Sequence, residues 1–297
     1  MRKRVALMLA AVVAMVTVSM AAPAGAITGN YQDDFEHDFV GLLVFYVPNT
    51  PAGEDPFSHR CSGSLLADGV TIVTAGHCTE GVDSGRVYFQ QAAAPNYSTS
   101  AFGGLGGDET TGYPYTGGNA ANQPYSRTFS TADNYGFHNF EGYPENRDVG
   151  VVVLDEAYET ESGTYGELPE VGAIDDYLAA HKNKQDVRFT PSGYGLSDQD
   201  PAPVAFRERA MATSYLVNNK APVTEYNLKT TANPSQGKGG TCNGDSGGPV
   251  LFEGTNVIAA VTSFGMNGQC KGLDFSYRLD RAEVLAWIND PDRVDAG

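Results

Sequence analysis

The sequence predicts an all-β fold, on three observations. Only 19% of residues are charged and 35 are glycine, a composition that suits a turn-rich β-globule better than a helical bundle. Apolar residues collect in short β-branched or compact runs, at 40–47, 70–74, 149–154 and 257–264, bounded by Gly, Pro, Asn and Asp. Helical patterns are confined to two short segments. With 297 residues the chain can form one large domain or two small ones.

The elements follow in order. Residues 1–26 read as a secretory signal: Arg2, Lys3 and Arg4 open it, an apolar run extends from Val5 to about Met20, and Ala24-Gly25-Ala26 is a small-x-small cleavage site. The apolar run is borderline in length for a membrane anchor, and no later run could span a bilayer. Val40 to Val47 reads as a buried strand, Pro48 to Pro56 as a loop, and Val70 to Thr74 as a β-branched strand. Ala92 to Tyr135, rich in Gly, Asn, Thr, Ser and Tyr, reads as a long loop insertion with room for a short hairpin. Val149 to Leu154 is a strand, and the acidic stretch Asp155 to Pro169 is a linker between halves. Val171 to Lys182 has room for a short helix. Val187 to Tyr194, Arg207 to Val217, Val223 to Thr231 and Val257 to Phe264 read as strands. Asp280 to Ile288 reads as a helix with Asp280 as its N-cap and Val284, Leu285, Trp287 and Ile288 as its apolar residues. There are no internal sequence repeats.

Charge excludes one class of function. Thirty-six acidic side chains against nineteen Lys and Arg give a formal net charge of −17, the wrong sign for nucleic-acid binding. Loss of the signal, with three cations and no acids, takes −17 to −20. Such a surface reads first as that of a soluble, acidic secreted protein, and long-range steering of cationic substrates is the second reading. Four cysteines remain, Cys61, Cys78, Cys242 and Cys270. In an exported chain two disulfides are the default, with three pairings open by arithmetic. No C-x-x-C pair suggests zinc.

Chemistry concentrates in the stretch Thr241-Cys242-Asn243-Gly244-Asp245-Ser246-Gly247-Gly248-Pro249-Val250. A serine is a poor nucleophile near neutral pH unless a base stands beside it and donors await the oxyanion it creates. Gly244 leaves room for a carbonyl oxygen, and its N–H and that of Ser246 can converge on one point. Alone, the stretch is equally a glycine-rich turn before a strand. A second stretch, Thr74-Ala75-Gly76-His77-Cys78, places a histidine at a strand end, where it can serve as the base. Asp148, in Arg147-Asp148-Val149-Gly150-Val151, is the best third member; Asp133 and Asp155 have poorer context, and His138 reads as structural.

Together Gly244–Pro249, Thr74–Cys78 and Asp148, in the chain order His, Asp, Ser, resemble the chymotrypsin/trypsin family of serine endopeptidases, of the bacterial secreted type. The resemblance covers nearly everything after residue 26. It implies two six-stranded antiparallel Greek-key β-barrels packed together, with a C-terminal α-helix. Residues 27–160 would form the barrel half carrying His77 and Asp148, and residues 161–297 the half carrying Ser246. It selects the disulfides Cys61–Cys78 and Cys242–Cys270. Ser246 is then the nucleophile, His77 the base and Asp148 its orienting partner, with the N–H groups of Gly244 and Ser246 as the oxyanion hole. The resemblance further implies a substrate slot with Gly240 and Thr241 at its floor. Ser263 and Gly265 would lie along the substrate backbone, and Asp274 on the second wall. The missing floor aspartate leaves two readings, a cationic side chain received by Asp274 or a large apolar one. Ile27-Thr28-Gly29-Asn30 departs from the family's Ile-Val-Gly-Gly start. Ile27 is either the activating N-terminus that pairs with Asp245, exposed directly by signal cleavage, or only the residue after the cut. The expected protein is an extracellular monomer without cofactor or metal. It would act on protein or peptide substrates, meet proteinaceous inhibitors, and touch neither membrane nor nucleic acid after signal removal. An esterase with the same triad and an inactive binding module on the same scaffold are the alternatives.

Overall fold

The computed structural model describes residues 27–49, 57–93, 126–183, 186–197, 208–217, 223–231, 233, 237–266 and 268–296. The signal segment and most of the 92–135 insertion lie outside them. The described elements are mostly strands. In chain order come β1 (Thr28–Gly29), β2 (Tyr31–Asp33), β3 (Val40–Tyr46), β4 (Phe57–Leu65), β5 (Thr71–Thr74), the one-turn helix α1 (Gly76–Thr79), β6 (Ser84–Tyr88), β7 (Ser126–Asn134) and β8 (Gly150–Leu154). Strands β3-β4-β5-β8-β7-β6 close into an antiparallel barrel. Closure removes both sheet edges. Its register places Leu43 opposite Cys61 and Val73 opposite Val151. Six of the seven β3 residues are buried, which is why this strand reads as a continuous apolar run rather than an alternation.

The second half contains α2 (Ala173–Ala180), β9 (Arg188–Gly193), β10 (Ala210–Ala212), β11 (Ser214–Tyr215), α3 (Val223–Tyr226), β12 (Asn227–Thr231), β13 (Gly239–Gly240), β14 (Pro249–Phe252), β15 (Ile258–Gly265), β16 (Leu273–Arg278) and α4 (Ala282–Ile288). Its main sheet has eight strands, in the order β12-β16-β15-β14-β9-β10-β2, with β11 also paired to β9. The bridge Leu216↔Thr230 connects the end of β11 to β12, so six of these strands run round a second core of Ile174, Val187, Phe189, Leu228, Val250 and Ala260. Strands β10 and β2 branch outward from β9. Strand β1 pairs with β13, Thr28 opposite Gly240.

Three expectations change. Residues 126–134 are not loop but β7, a full barrel strand paired with β6 and β8. Its sequence, Ser-Arg-Thr-Phe-Ser-Thr-Ala-Asp-Asn, buries only Ser126, Phe129 and Asn134, so it carries almost no apolar signature. Residues 223–226 are a helical turn, and only 227–231 are strand. Asp280 does not cap α4, whose N-cap is Arg281. Its carboxylate instead accepts the Ile174 N–H at the start of α2, at 2.9 Å, and takes two bonds of 2.8 Å from the Arg278 guanidinium. A buried acid is better satisfied by a cation and a helix N-terminus than by its own following turn.

Candidate active site

The barrel delivers the histidine. β5 ends at Thr74, and α1 turns His77 out of the barrel end. The disulfide Cys61–Cys78 ties that turn to β4. Gly76 has to be glycine: a Cβ there would lie 2.7 Å from the Phe137 Cβ and 3.1 Å from the Val149 nitrogen. Asp148 precedes β8 and is fully buried. Its Oδ1 accepts the His77 backbone N–H at 2.8 Å, and the ring Nδ1 lies 3.1 Å from Oδ1 and 2.9 Å from Oδ2. With a carboxylate as acceptor, Nδ1 is the donor, which leaves Nε2 as the basic nitrogen. Burial alone would push the ring's pKa down, but the Asp148 charge and hydrogen bond outweigh it and hold His77 above the ordinary histidine value. Phe137 and Phe140 flank the ring, with centroids 5.9 and 5.7 Å away.

The second sheet delivers the serine. Ser246 sits in the turn before β14, which Cys242–Cys270 anchors on one side. Gly244 and Gly247 adopt φ of +100° and +76°, values open to glycine at little cost. A Cβ on Gly247 would also collide with Thr74 Oγ1 and approach the Ala75 nitrogen to 2.6 Å. The serine turn is thus pressed directly against the strand end that leads to His77. Ser62 of β4 fastens the two halves there. Its N–H donates to the Ser246 carbonyl at 2.8 Å, its Oγ donates to the Gly244 carbonyl at 2.9 Å, and that Oγ accepts the Tyr194 N–H at 3.0 Å. Among the described residues, neither the Gly244 nor the Ser246 N–H has an acceptor.

His77 and Ser246 wall one cavity of about 320 Å³, together with Thr241, Ser263, Phe264 and Gly265. Gly240 and Asp274, expected at the floor and second wall of a substrate slot, do not line this cavity. Gly240 is buried in the pairing with Thr28. Asp274 accepts the Thr241 N–H at 2.7 Å, and burial, partly offset by that bond, raises its carboxyl to about 6. Ile27 is fully buried beside Ala210 and Ala212. The chain continues upstream of it, so its nitrogen is a peptide amide. Asp245, also fully buried, accepts N–H bonds from Gly195 at 2.8 Å and Cys242 at 2.9 Å. Burial, with the Asp274 charge nearby, pushes its carboxyl well above the ordinary aspartate value.

Sequence reasoning placed Ser263 along the substrate path and missed its second contact: its hydroxyl donates to Asp148 Oδ2, while Asn146 Nδ2 reaches its Oγ at 3.5 Å. The aromatic residues around His77 were missed as well, since a phenylalanine in a loop carries no signal until the loop is placed. The other two aspartates are engaged elsewhere: Asp133 pairs with Arg293 at 3.0 Å, and Asp155 accepts the Ser130 hydroxyl at 2.6 Å. His138 is exposed. Cys61, Cys78 and His77 gather in one spot, but both sulfurs are committed to the disulfide and offer no thiolate to a metal. No helix among the described residues is long and apolar enough to cross a membrane.

A closed antiparallel barrel packed on a second β-sheet, with a histidine–aspartate pair on one and a serine in a glycine turn on the other, defines a chymotrypsin-like β-barrel protein. A family model described as Trypsin matches residues 111–288, more than half of the chain, and the chain belongs to the trypsin family. Asp148 and Ser246 fall inside the matched stretch; Ile27 and His77 precede it. Trypsin zeta of Drosophila melanogaster is 35% identical over 81 residues, covering 27% of this chain and 28% of that protein. The solved structure of HL collagenase superimposes with a TM-score of 0.61 at 18% identity, over 88% of this chain and 96% of that one. Human heparin binding protein gives 0.56 at 16% identity, over 89% and 98%. At these identities the likeness to the solved structures is one of fold.

Proposed function

We propose that the protein is a secreted serine endopeptidase that hydrolyses peptide bonds through Ser246, His77 and Asp148. One observation carries the reading: a single cavity is walled by both His77 and Ser246, and the ring of that histidine is held through Nδ1 by a fully buried carboxylate. Ser246 Oγ attacks the scissile carbonyl carbon as His77 Nε2 takes its proton. Asp148 keeps the ring in the tautomer with Nε2 basic and stabilises the imidazolium. The carbonyl oxygen becomes an oxyanion, for which the N–H groups of Gly244 and Ser246 are the available donors. Collapse of the tetrahedral intermediate passes the His77 proton to the leaving amine and forms an acyl-enzyme. Water, activated by His77, then releases the acid and restores Ser246.

For the residue before the cut, we favour a cationic side chain. Asp274 is a buried acid behind Thr241 whose partner among the described residues is that threonine, through its backbone N–H and side chain; an Arg or Lys head reaching past Thr241 would supply a counter-charge, with charge-assisted bonds of about 1.5–3 kcal/mol. Ile27 has the complementary role at the other buried acid. Signal cleavage after Ala26 would create an ammonium at a residue already buried in the second half, and Asp245 would gain an ionic partner. Heparin binding, the property in the name of human heparin binding protein, fits poorly, because a chain of net charge −17 repels a polyanion.

The test is labelling of the secreted protein with a serine-directed fluorophosphonate, followed by cleavage of a folded protein and of small esters. Labelling that disappears in Ser246→Ala, with protein cleavage reduced roughly 10⁶-fold, is the expected result. No labelling would leave a binder, and labelling with ester turnover alone would leave an esterase.

A further inference from the structure

Behind His77, the last described segment of the chain is tied to the residue that holds the histidine turn in place. That residue is Asn134, at the end of β7 and almost wholly buried. Its side chain faces the turn that carries His77. Nδ2 donates to the Gly76 carbonyl at 3.0 Å, one residue before His77. Oδ1 accepts the N–H groups of Gly136 at 2.8 Å and Phe137 at 2.7 Å, and Phe137 packs on the His77 ring. The backbone of Asn134 is engaged from the other side, by the segment after α4. Its N–H donates to Asp295 Oδ1 at 3.1 Å, and its carbonyl accepts the Ala296 N–H at 2.9 Å. An Arg293–Asp133 ion pair at 3.0 Å and a Trp287 Nε1 bond to the Val294 carbonyl at 3.2 Å hold the same segment down.

We propose that residues 290–296 form a positioning element for His77, with Asp295 and Ala296 acting through Asn134. The inference rests on the catalytic reading of His77. Only one residue separates the tail's hydrogen bonds from both the backbone turn and the aromatic wall that fix the imidazole. General-base catalysis depends steeply on that placement, since displacements of an ångström or less cost orders of magnitude in rate. The tail therefore sets how well Nε2 is aimed at the serine, without touching substrate.

The experiment compares Asp295→Ala with Asp295→Asn, whose amide oxygen still accepts the Asn134 N–H, and with Ala296→Pro, which removes the other bond. Three readouts are taken: turnover of a small amide substrate per titrated active site, thermal midpoint, and the low-field proton NMR resonance of His77 Nδ1–H. Asp295→Ala and Ala296→Pro are expected to lower kcat about tenfold at unchanged KM, and to shift or broaden the resonance. Asp295→Asn is expected to restore both. Wild-type kcat and resonance in the Ala and Pro variants, or equal losses in Ala and Asn that merely follow a lower thermal midpoint, would overturn the proposal. The resonance needs no turnover. A wild type that hydrolyses nothing, yet whose resonance responds to Asp295→Ala and not to Asp295→Asn, would defeat the protease reading and leave the positioning role standing.

Discussion

Ser263 donates its hydroxyl hydrogen to the carboxylate oxygen of Asp148 that lies closest to His77 Nδ1. The aspartate is thus shared between a neutral donor of β15 and the imidazole of the barrel, and the two compete for its negative charge. Removal of the hydroxyl in Ser263→Ala leaves more of that charge to the imidazolium. The His77 pKa rises further, and the acid limb of kcat/KM moves to higher pH, because attack requires the neutral ring. Loss of a hydrogen bond to a buried charge should also cost about 1.5–3 kcal/mol of stability. A pH–rate profile and a urea titration check both, and an acid limb moved downward would contradict this account of the shared carboxylate.

Asp274 gives a pH prediction with a definite sign. Its folded carboxyl sits at about 6, above the ordinary 3.8, so ionisation opposes folding, and the penalty develops as pH rises through that interval. Asp274→Asn should be more stable than wild type above pH 6, by roughly 3 kcal/mol, and equal to it below about pH 4. The same variant should lose the proposed preference for Arg or Lys before the scissile bond, which in wild type should strengthen as pH rises past 6. Thermal melts across pH and a peptide series ending in Arg, Lys, Phe or Leu decide it; unchanged selectivity in Asp274→Asn removes the acid from substrate binding.

Activation at Ile27 predicts a strict requirement for a free amine. A chain that begins at Ile27 should be active, and one with a single extra residue before it should lose about 10²-fold or more in kcat/KM, since a buried Asp245 cannot then acquire its ammonium partner. Intact mass of the secreted form and rates of the extended form are the measurements. Full activity with the extension would reduce Ile27 to a residue after a cut.

Gly247→Ala tests the contact between the serine turn and β5. The substitution combines φ of +76° with a collision against Thr74 and Ala75, and should cost more than about 2 kcal/mol. Fluorophosphonate labelling of the folded fraction should fall as well, because relief of the collision pushes Ser246 away from His77.

Legibility in the sequence followed locality. Gly244–Pro249 and Thr74–Cys78 were readable because the chemistry demands particular neighbours within a few residues: small residues beside the serine, a strand end and half-cystine beside the histidine. Apolar strands such as β3, β8 and β15 were readable because burial leaves a pattern. β7 was not, because most of its side chains are polar and its place is dictated by the strands on either side. The Ser263–Asp148 bond joins residues 115 apart and the Asn134–Asp295 bond residues 161 apart; no local pattern encodes either. Asp280 was misread for a related reason. The composition of a cap was present, but the helix it serves lies more than 100 residues earlier in the chain.

Ser62 carries a consequence for motion. One side chain and one amide bind the carbonyls on both sides of Asp245, from a strand of the opposite half, while the same hydroxyl receives a hydrogen from Tyr194. Gaping of the halves would break several bonds at once, with Ser62 and Tyr194 themselves buried. On the proposed protease reading, peptide products would leave along the groove rather than through a hinge, and slow amide exchange at Ser62 and Tyr194 during turnover would be the mark of a jaw that never opens.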